Sequence, residues 1–151
     1  SAATGDTIEV PSPNLMTDRV FKRWETTPAG YVIDRAVADP YRELLDRHAI
    51  GYEVLDEPAR MTVEACRLDR VENETDEVYE RYPGRQIVAC AAPSSRNVAA
   101  GSLVVHLERG SWRTVVALIE PTMLYGLYQH DRFQDTVAED GQIPVWRVVE
   151  P

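Results

Sequence analysis

A strand–helix–strand pattern near the start of the compact part of the chain constrains its fold more than any other feature. Residues 31–33 (YVI) have the unbroken apolar character of a short buried strand. Asp39 and Pro40 form a typical helix start, because Asp39 is suited to the cap and Pro40 to the first helical position. Residues 52–55 (YEVL) form a second short strand. The short connections predict a βαβ unit with parallel strands and a right-handed crossover.

The helix of this unit has a clear apolar face. Four of its side chains recur at the i, i+3, i+4 and i+7 spacing of one helix face, namely Tyr41, Leu44, Leu45 and His48. We expect Gly51 to end the helix, at a position that needs a left-handed backbone.

The middle and end of the chain contain more strand patterns. Residues 61–66 alternate between apolar and polar side chains, and the pattern loses phase near Leu68 and Val71, which indicates a bulge or an end. Further strands are predicted at residues 87–91, 103–107 and 144–149, with the polar residues 93–97 as a loop.

A second helix is predicted after Ser111, which is suited to its cap, with Pro121 as its stop. Its apolar face consists of Trp112, Val115, Val116 and Ile119. A turn or short helix follows around residues 123–127. We therefore expect a mixed α/β (α+β) fold: a βαβ start, then a largely antiparallel sheet with two or three helices.

Charge and hydropathy exclude several classes of function. The chain has 16 Lys and Arg against 25 Asp and Glu, a formal net charge of −9. Because nucleic-acid binding needs a basic face, no nucleic-acid partner is expected. No apolar run approaches the ~20 residues of a membrane span, and no basic-then-apolar leader opens the sequence.

The domain organisation predicted is a lead-in followed by one domain. Residues 1–27 are interpreted as a linker from a missing upstream domain, with an apolar group at Leu15, Val20, Phe21 and Trp24. Residues 28–151 form a single domain. Inside it, the acidic residues between Asp69 and Glu80 are interpreted as a solvated connection; the alternative is a cation-binding loop, although the Gly and closing Glu of a calcium loop are missing.

Two cysteines, Cys66 and Cys90, are too few for a four-cysteine zinc site or a disulfide scaffold. The first interpretation is that both are small buried apolar residues of strands. The alternative is one disulfide between two strands, which would imply an oxidising compartment.

Candidate chemical groups are few. His106 and Glu108 are separated by one residue in a predicted strand, so both would face one side, as a polar surface pair or a metal contact. His130 and Asp131 are adjacent on a turn, which rarely allows a base and its orienting carboxylate to meet. Glu120 lies between apolar residues and Pro121, and we favour a structural ion pair or a helix-end contact for it over catalysis.

The sequence contains no G-x-S-x-G elbow, no phosphate loop and no dinucleotide fingerprint. No histidine has a partner at the spacing of a helical zinc pair. We therefore assign no catalytic, cofactor-binding or metal-ligating residue in this chain.

Five segments in order carry a resemblance to a known family. Together they resemble the C-terminal accessory region of large bacterial zinc carboxypeptidase-like proteins, of the carboxypeptidase A-like metallopeptidase family, over about residues 20–150. Where the family pattern usually has Gly, this chain has Ala49. The segments are residues 28–33 (PAGYVI), 44–50 (LLDRHAI), 100–105 (AGSLVV), 117–121 (ALIEP) and, closing the series, Gly126-Leu127, Phe133 and residues 143–148 (IPVWRV).

The resemblance implies a function in proteolysis for the parent protein, a hydrolase, with its zinc in the missing peptidase domain. None of the family's zinc ligands, its general-base glutamate or its carboxylate-binding arginine has a matching motif here, so no such residue is transferred. The chain alone is expected to be non-catalytic, with the upstream peptidase domain of the same polypeptide as its partner. Two alternatives stay open: an independent peptide- or glycan-binding module, and an enzyme using His106, Glu108 or Glu120. An exported parent, periplasmic or extracellular, also stays open.

Overall fold

A computed structural model describes residues 27–72, 85–108, 110–123 and 126–150. The lead-in up to residue 26 and most of the acidic connection lie outside these residues. The strands are β1 (Gly30–Ile33), β2 (Glu53–Val54), β3 (Ala59–Glu72), β4 (Arg85–Cys90), β5 (Ser94–Val98), β6 (Leu103–His106) and β7 (Gln142–Glu150). The helices are α1 (Ala38–Arg47), α2 (Trp112–Ile119) and α3 (Asp131–Gln134), with 3-10 turns at Arg35–Val37 and Leu127–Gln129.

The seven strands form one antiparallel sheet, so the fold is α+β as predicted. The order is β2-β6-β1-β7-β3-β4, and β5 also pairs with β3. Because β1 and β2 are each antiparallel to β6, they run parallel to one another, as the βαβ pattern predicts. They are not hydrogen-bonded neighbours, however, because β6 lies between them.

The sheet is curled, so that its two ends are joined by short connections. β4 and β5 follow one another along the same side of β3, and residues 99–102 then lead from β5 to β6 near the opposite end. The backbone there is fixed by Leu55, whose N–H donates to Ser102 O at 3.0 Å and whose carbonyl accepts from Gly101 N at 2.7 Å. Gly101 adopts φ 87°, which favours glycine.

Two hydrophobic clusters lie on opposite faces of the sheet. The larger includes Tyr31, Ile33, Leu103, Val105 and Val145 and is covered by residues of α1 and α2. Within it the Tyr41 and Tyr128 hydroxyl oxygens are 3.1 Å apart. The smaller cluster fills the inside of the curl and consists of Val32, Val63, Val98, Val104, Trp146 and Val148. The alternation of side chains along each strand separates the two clusters.

Helix α1 begins at Ala38, two residues before its predicted first helical position, Pro40. A 3-10 turn precedes it, and Asp34 caps that turn by accepting a hydrogen bond from Ala36 N at 2.8 Å. Tyr41 and Leu45 are buried as predicted, whereas His48 is exposed. The left-handed residue at its end is Ala49, with φ 51°, so the prediction for Gly51 was wrong.

Two further boundaries differ from the sequence prediction. Strand β3 continues through Asp69 to Glu72, with register shifts after Ala65 and after Leu68, where the pattern loses phase. Ser94 to Val98, predicted as a loop, form strand β5. Three of its five side chains are exposed and only Val98 is buried, so its composition is that of a loop.

Helix α2 follows its prediction except at its first turn. Val115 and Ile119 are buried, but Trp112 is 39% exposed, and the Ser111 side chain makes no capping hydrogen bond. The helix ends at Ile119, two residues before Pro121. In the described ranges, no helix has the length and apolar character needed to cross a bilayer.

Candidate functional site

Glu120 and Arg147 are the charged side chains that the described part of the chain buries most completely. Glu120 caps the C-terminus of α2, where Pro121 prevents the helix from continuing. Arg147 projects from the helix-covered face of β7, two residues after Val145. The alternation of side chains along β7 and the end of α2 therefore place Arg147 and Glu120 between the sheet and its helices.

Every oxygen of the Glu120 carboxylate accepts a hydrogen bond. Oε2 accepts from the Tyr31 hydroxyl at 2.7 Å and from Arg147 Nε at 3.3 Å. Oε1 accepts from both the backbone N–H and the hydroxyl of Thr122, at 3.1 and 2.8 Å. The structure thus confirms an ion pair and a helix-end contact for Glu120.

Arg147 lies between two carboxylates. Its Nη1 donates to Glu64, the residue opposite it on β3, while its Nε contacts Glu120. Burial raises the pKa of Tyr31, and the negative charge of Glu120 raises it further. Tyr31 therefore remains a neutral donor, and the hydrogen bonds of Tyr31 and Arg147 are directed at the Glu120 and Glu64 carboxylates.

A separate groove of about 330 Å³ is lined by the 3-10 turn after β1, the first half of β7 and Arg96 of β5. Arg96 of β5 lies over the ring of Trp146, with its guanidinium carbon 5.3 Å from the ring centroid. Asp34 lines the same groove, and Ile143 and Pro144 form part of its buried wall. It therefore combines an aromatic surface with one cationic and one anionic side chain.

The histidine candidates are not brought together with the residues proposed for them. Strand β6 ends at His106, so Glu108 lies beyond the strand and the predicted shared face does not exist. His106 instead lies 3.8 Å from the Glu53 carboxylate, and both side chains are mostly exposed. These contacts are those of a polar surface.

His130 and Asp131 occupy the start of α3. The His130 carbonyl accepts hydrogen bonds from Phe133 N at 2.8 Å and Gln134 N at 3.0 Å, and both side chains are exposed. Their role in the fold is at a helix start. Among the described residues, no group of three or more His, Cys, Asp or Glu side chains is placed to hold a metal ion.

Cys66 and Cys90 form a disulfide, so the first interpretation, of two separate apolar residues, was wrong. They are directly opposed in the β3–β4 register, with their Cα atoms 3.9 Å apart. The bridge closes the long hairpin next to the register shifts of β3. This pairing follows from strand register, which the sequence pattern alone does not provide.

Sequence reasoning missed Tyr31, Arg147, Arg96 and Trp146 as members of polar sites. Tyr31 and Arg147 were treated only as parts of apolar strands, although an arginine inside an apolar run is itself a signal of a buried partner. Arg96 was predicted to lie in a loop, and its contact with Trp146 depends on its position in strand β5.

Comparisons of the chain with protein-family models, with curated proteins and with solved structures gave no match.

Proposed function

We propose that this chain is a non-catalytic accessory domain of a zinc carboxypeptidase-like metallopeptidase, which packs beside the peptidase domain or shapes access to it. The observation that carries the proposal is that three separate segments of the resemblance meet in one buried network. Tyr31 comes from the first segment, Glu120 from the fourth and Arg147 from the last, and the three side chains are joined by hydrogen bonds.

The glycines of the same segments also have structural roles. A Cβ at Gly30 would lie 2.6 Å from the carbonyl oxygen of Val105 on the neighbouring strand, so only glycine fits there. Gly101 occupies the left-handed backbone position at the turn into β6. The motif residues thus account for a fold, which is what a non-catalytic domain requires of them.

One end of the sheet offers a surface for a preceding domain. Ala29 donates to Val148 O at 2.8 Å and accepts from Leu107 N at 3.4 Å, so residues 27–29 lie beside the ends of β6 and β7. Trp112 and Val149 are exposed by 39% and 38%. Val149 lies in β7 next to Val148, and Trp112 begins α2, six residues after the end of β6. We propose that they contact the peptidase domain.

The test is a comparison of the joined and separate domains. The chain should be produced alone and fused to the domain encoded immediately upstream, and the unfolding temperature of each form measured by calorimetry. Packing predicts that each domain unfolds at a higher temperature in the fusion. The double substitution Trp112→Ser and Val149→Thr should reduce this gain and leave the isolated chain folded.

Val54 provides a matched control. It is also 39% exposed, but it lies at a different place on the sheet. Val54 pairs with Leu103 of β6, and Leu103 pairs with Ile33, at the end of β1 opposite to Ala29. Val54→Thr should leave the gain unchanged. Independent unfolding of the two domains, or an upstream domain that is not a peptidase, would overturn the proposal.

Activity of the isolated chain gives a second readout. It should not release C-terminal residues from blocked dipeptides, because no zinc site is assigned to it. Zinc-dependent turnover that is lost in His106→Ala would instead support the enzyme alternative.

A peptide-binding module is the second candidate function. It is favoured by the groove in which Arg96 and Asp34 accompany Trp146. The disulfide between Cys66 and Cys90 is typical of oxidising compartments, which agrees with an exported parent under either function.

A further inference from the structure

The groove beside Trp146 has the size and composition of a small-ligand site. Its volume of about 330 Å³ lies in the range typical of such sites. Its floor includes Pro144 and Trp146, and it is rigid because both belong to β7, which is hydrogen-bonded to strands on both sides. A ligand side chain would therefore meet an ordered apolar surface.

Two opposite charges line this groove without neutralising each other. No ion pair joins Arg96 to Asp34 or to any other carboxylate in the described ranges, and none joins Asp34 to a cation there. Asp34 uses one carboxylate oxygen to cap Ala36, which orients the side chain on the backbone. The stacking on Trp146 similarly orients Arg96.

We infer that this groove binds a short zwitterionic peptide of about dipeptide size. Arg96 would hold the ligand's carboxylate, since a guanidinium matches a carboxylate with two parallel hydrogen bonds. Asp34 would hold its ammonium group, and an apolar side chain would lie against Trp146. The inference rests on the groove alone and does not depend on the proposed contact with a peptidase domain.

The binding experiment uses the fluorescence of Trp146. The chain has three tryptophans, Trp24, Trp112 and Trp146, so a protein carrying Trp24→Phe and Trp112→Phe reports on the groove alone. The probes are glycyl-leucine, glycyl-leucinamide, which lacks the carboxylate, and N-acetylglycyl-leucine, which lacks the ammonium group. The zwitterion should bind about 10-fold more tightly than either blocked form, since each loses one charged hydrogen-bonding group.

Two substitutions assign the charges to residues. Arg96→Gln should lower the affinity for glycyl-leucine about 10-fold and abolish its preference over the amide. Asp34→Asn keeps a side chain that can cap Ala36 and should abolish the preference over the acetylated form. Arg113→Gln is the matched control, because Arg113 also lies over an aromatic ring, that of Trp112 (Phe in the reporter protein), outside the groove lining. It should change nothing.

Unfolding temperatures of all variants show that each remains folded. Equal affinities for the three probes, or no fluorescence change up to about 10 mM probe, the weak end of meaningful affinity, would overturn the inference. So would an unchanged affinity in Arg96→Gln. Loss of binding in Arg113→Gln would place the site elsewhere and equally contradict it.

Discussion

Arg147 Nε lies 3.3 Å from Glu120 Oε2, and the two side chains are only 4% and 7% exposed. The pair joins the last strand to the end of α2, and Tyr31 joins it to the first strand. Charges this deeply buried are costly unless they are paired. Removal of one partner therefore leaves the other as an unpaired buried charge, which destabilises the folded state. The network therefore makes the packing of three segments interdependent.

The first prediction concerns this pair. Glu120→Gln should lower the free energy of unfolding by about 3 kcal/mol, because Arg147 would lose one of its two carboxylate partners in a buried site. Chemical denaturation followed by circular dichroism measures the change. Glu43→Gln is the control: Glu43 pairs with Arg47 and Arg132 on the surface, and its loss should leave the stability close to that of the wild type. Equal effects of the two substitutions would show that the buried pair contributes nothing.

The second prediction concerns the disulfide. Cys66 and Cys90 are separated by 24 residues, and closing a loop of this size restricts the unfolded chain. Replacing both by Ala should therefore lower the free energy of unfolding by about 3 kcal/mol. Reduction of the wild-type protein should lower its denaturation midpoint to a similar extent, while reductant should leave the double variant unchanged. A wild-type midpoint that does not respond to full reduction would contradict the prediction.

The elements that sequence predicts best are those whose apolar side chains are buried in a core. The helix face of Tyr41 and Leu45 and the strand of residues 31–33 face a core, so their pattern determines their structure. Strand β5 was missed because its partner β3 covers one side of its backbone only, and its side chains Ser94 and Ser95 remain exposed. Its pairing is a long-range contact that its own composition does not encode.

In the candidate site, too, local features were predictable from the sequence and long-range contacts were not. Burial of Glu120 was predictable from its apolar neighbours and Pro121, which are adjacent in sequence. Its partners, Tyr31 and Arg147, are 89 and 27 residues away, and they meet Glu120 only through the order of strands in the sheet. The groove of Arg96 and Trp146 depends on the curl of the sheet, for which no local signal exists.

The third prediction concerns Ala49. Its φ of 51° lies in the left-handed region, which a side chain with Cβ adopts at a cost, and the resemblance pattern has Gly at this position. Ala49→Gly should therefore raise the free energy of unfolding by about 1 kcal/mol. Gly51 lacks a positive φ and has open space around it, so Gly51→Ala should not be destabilising. The opposite ranking, with Gly51→Ala as the harmful change, would restore Gly51 as the left-handed residue.

The last prediction concerns alkaline pH. Burial raises the pKa of Tyr31, Tyr41 and Tyr128 above the ordinary value of 10.0, and for Tyr31 the charge of Glu120 adds to the effect. The unfolded chain releases these protons above about pH 10 whereas the folded chain retains them, so stability is unaffected below that pH and falls as pH rises above it. Each such tyrosine contributes a slope of up to about 1.4 kcal/mol per pH unit. Tyr41→Phe removes one of these protons and should make the fall of the unfolding free energy above pH 10 less steep, by up to that amount, whatever its effect at pH 7. Denaturation curves of Tyr41→Phe and of the wild type at several pH values provide the measurement. A slope that is unchanged in Tyr41→Phe would mean that the Tyr41 hydroxyl ionises as readily in the folded protein as in the unfolded chain, in spite of its burial.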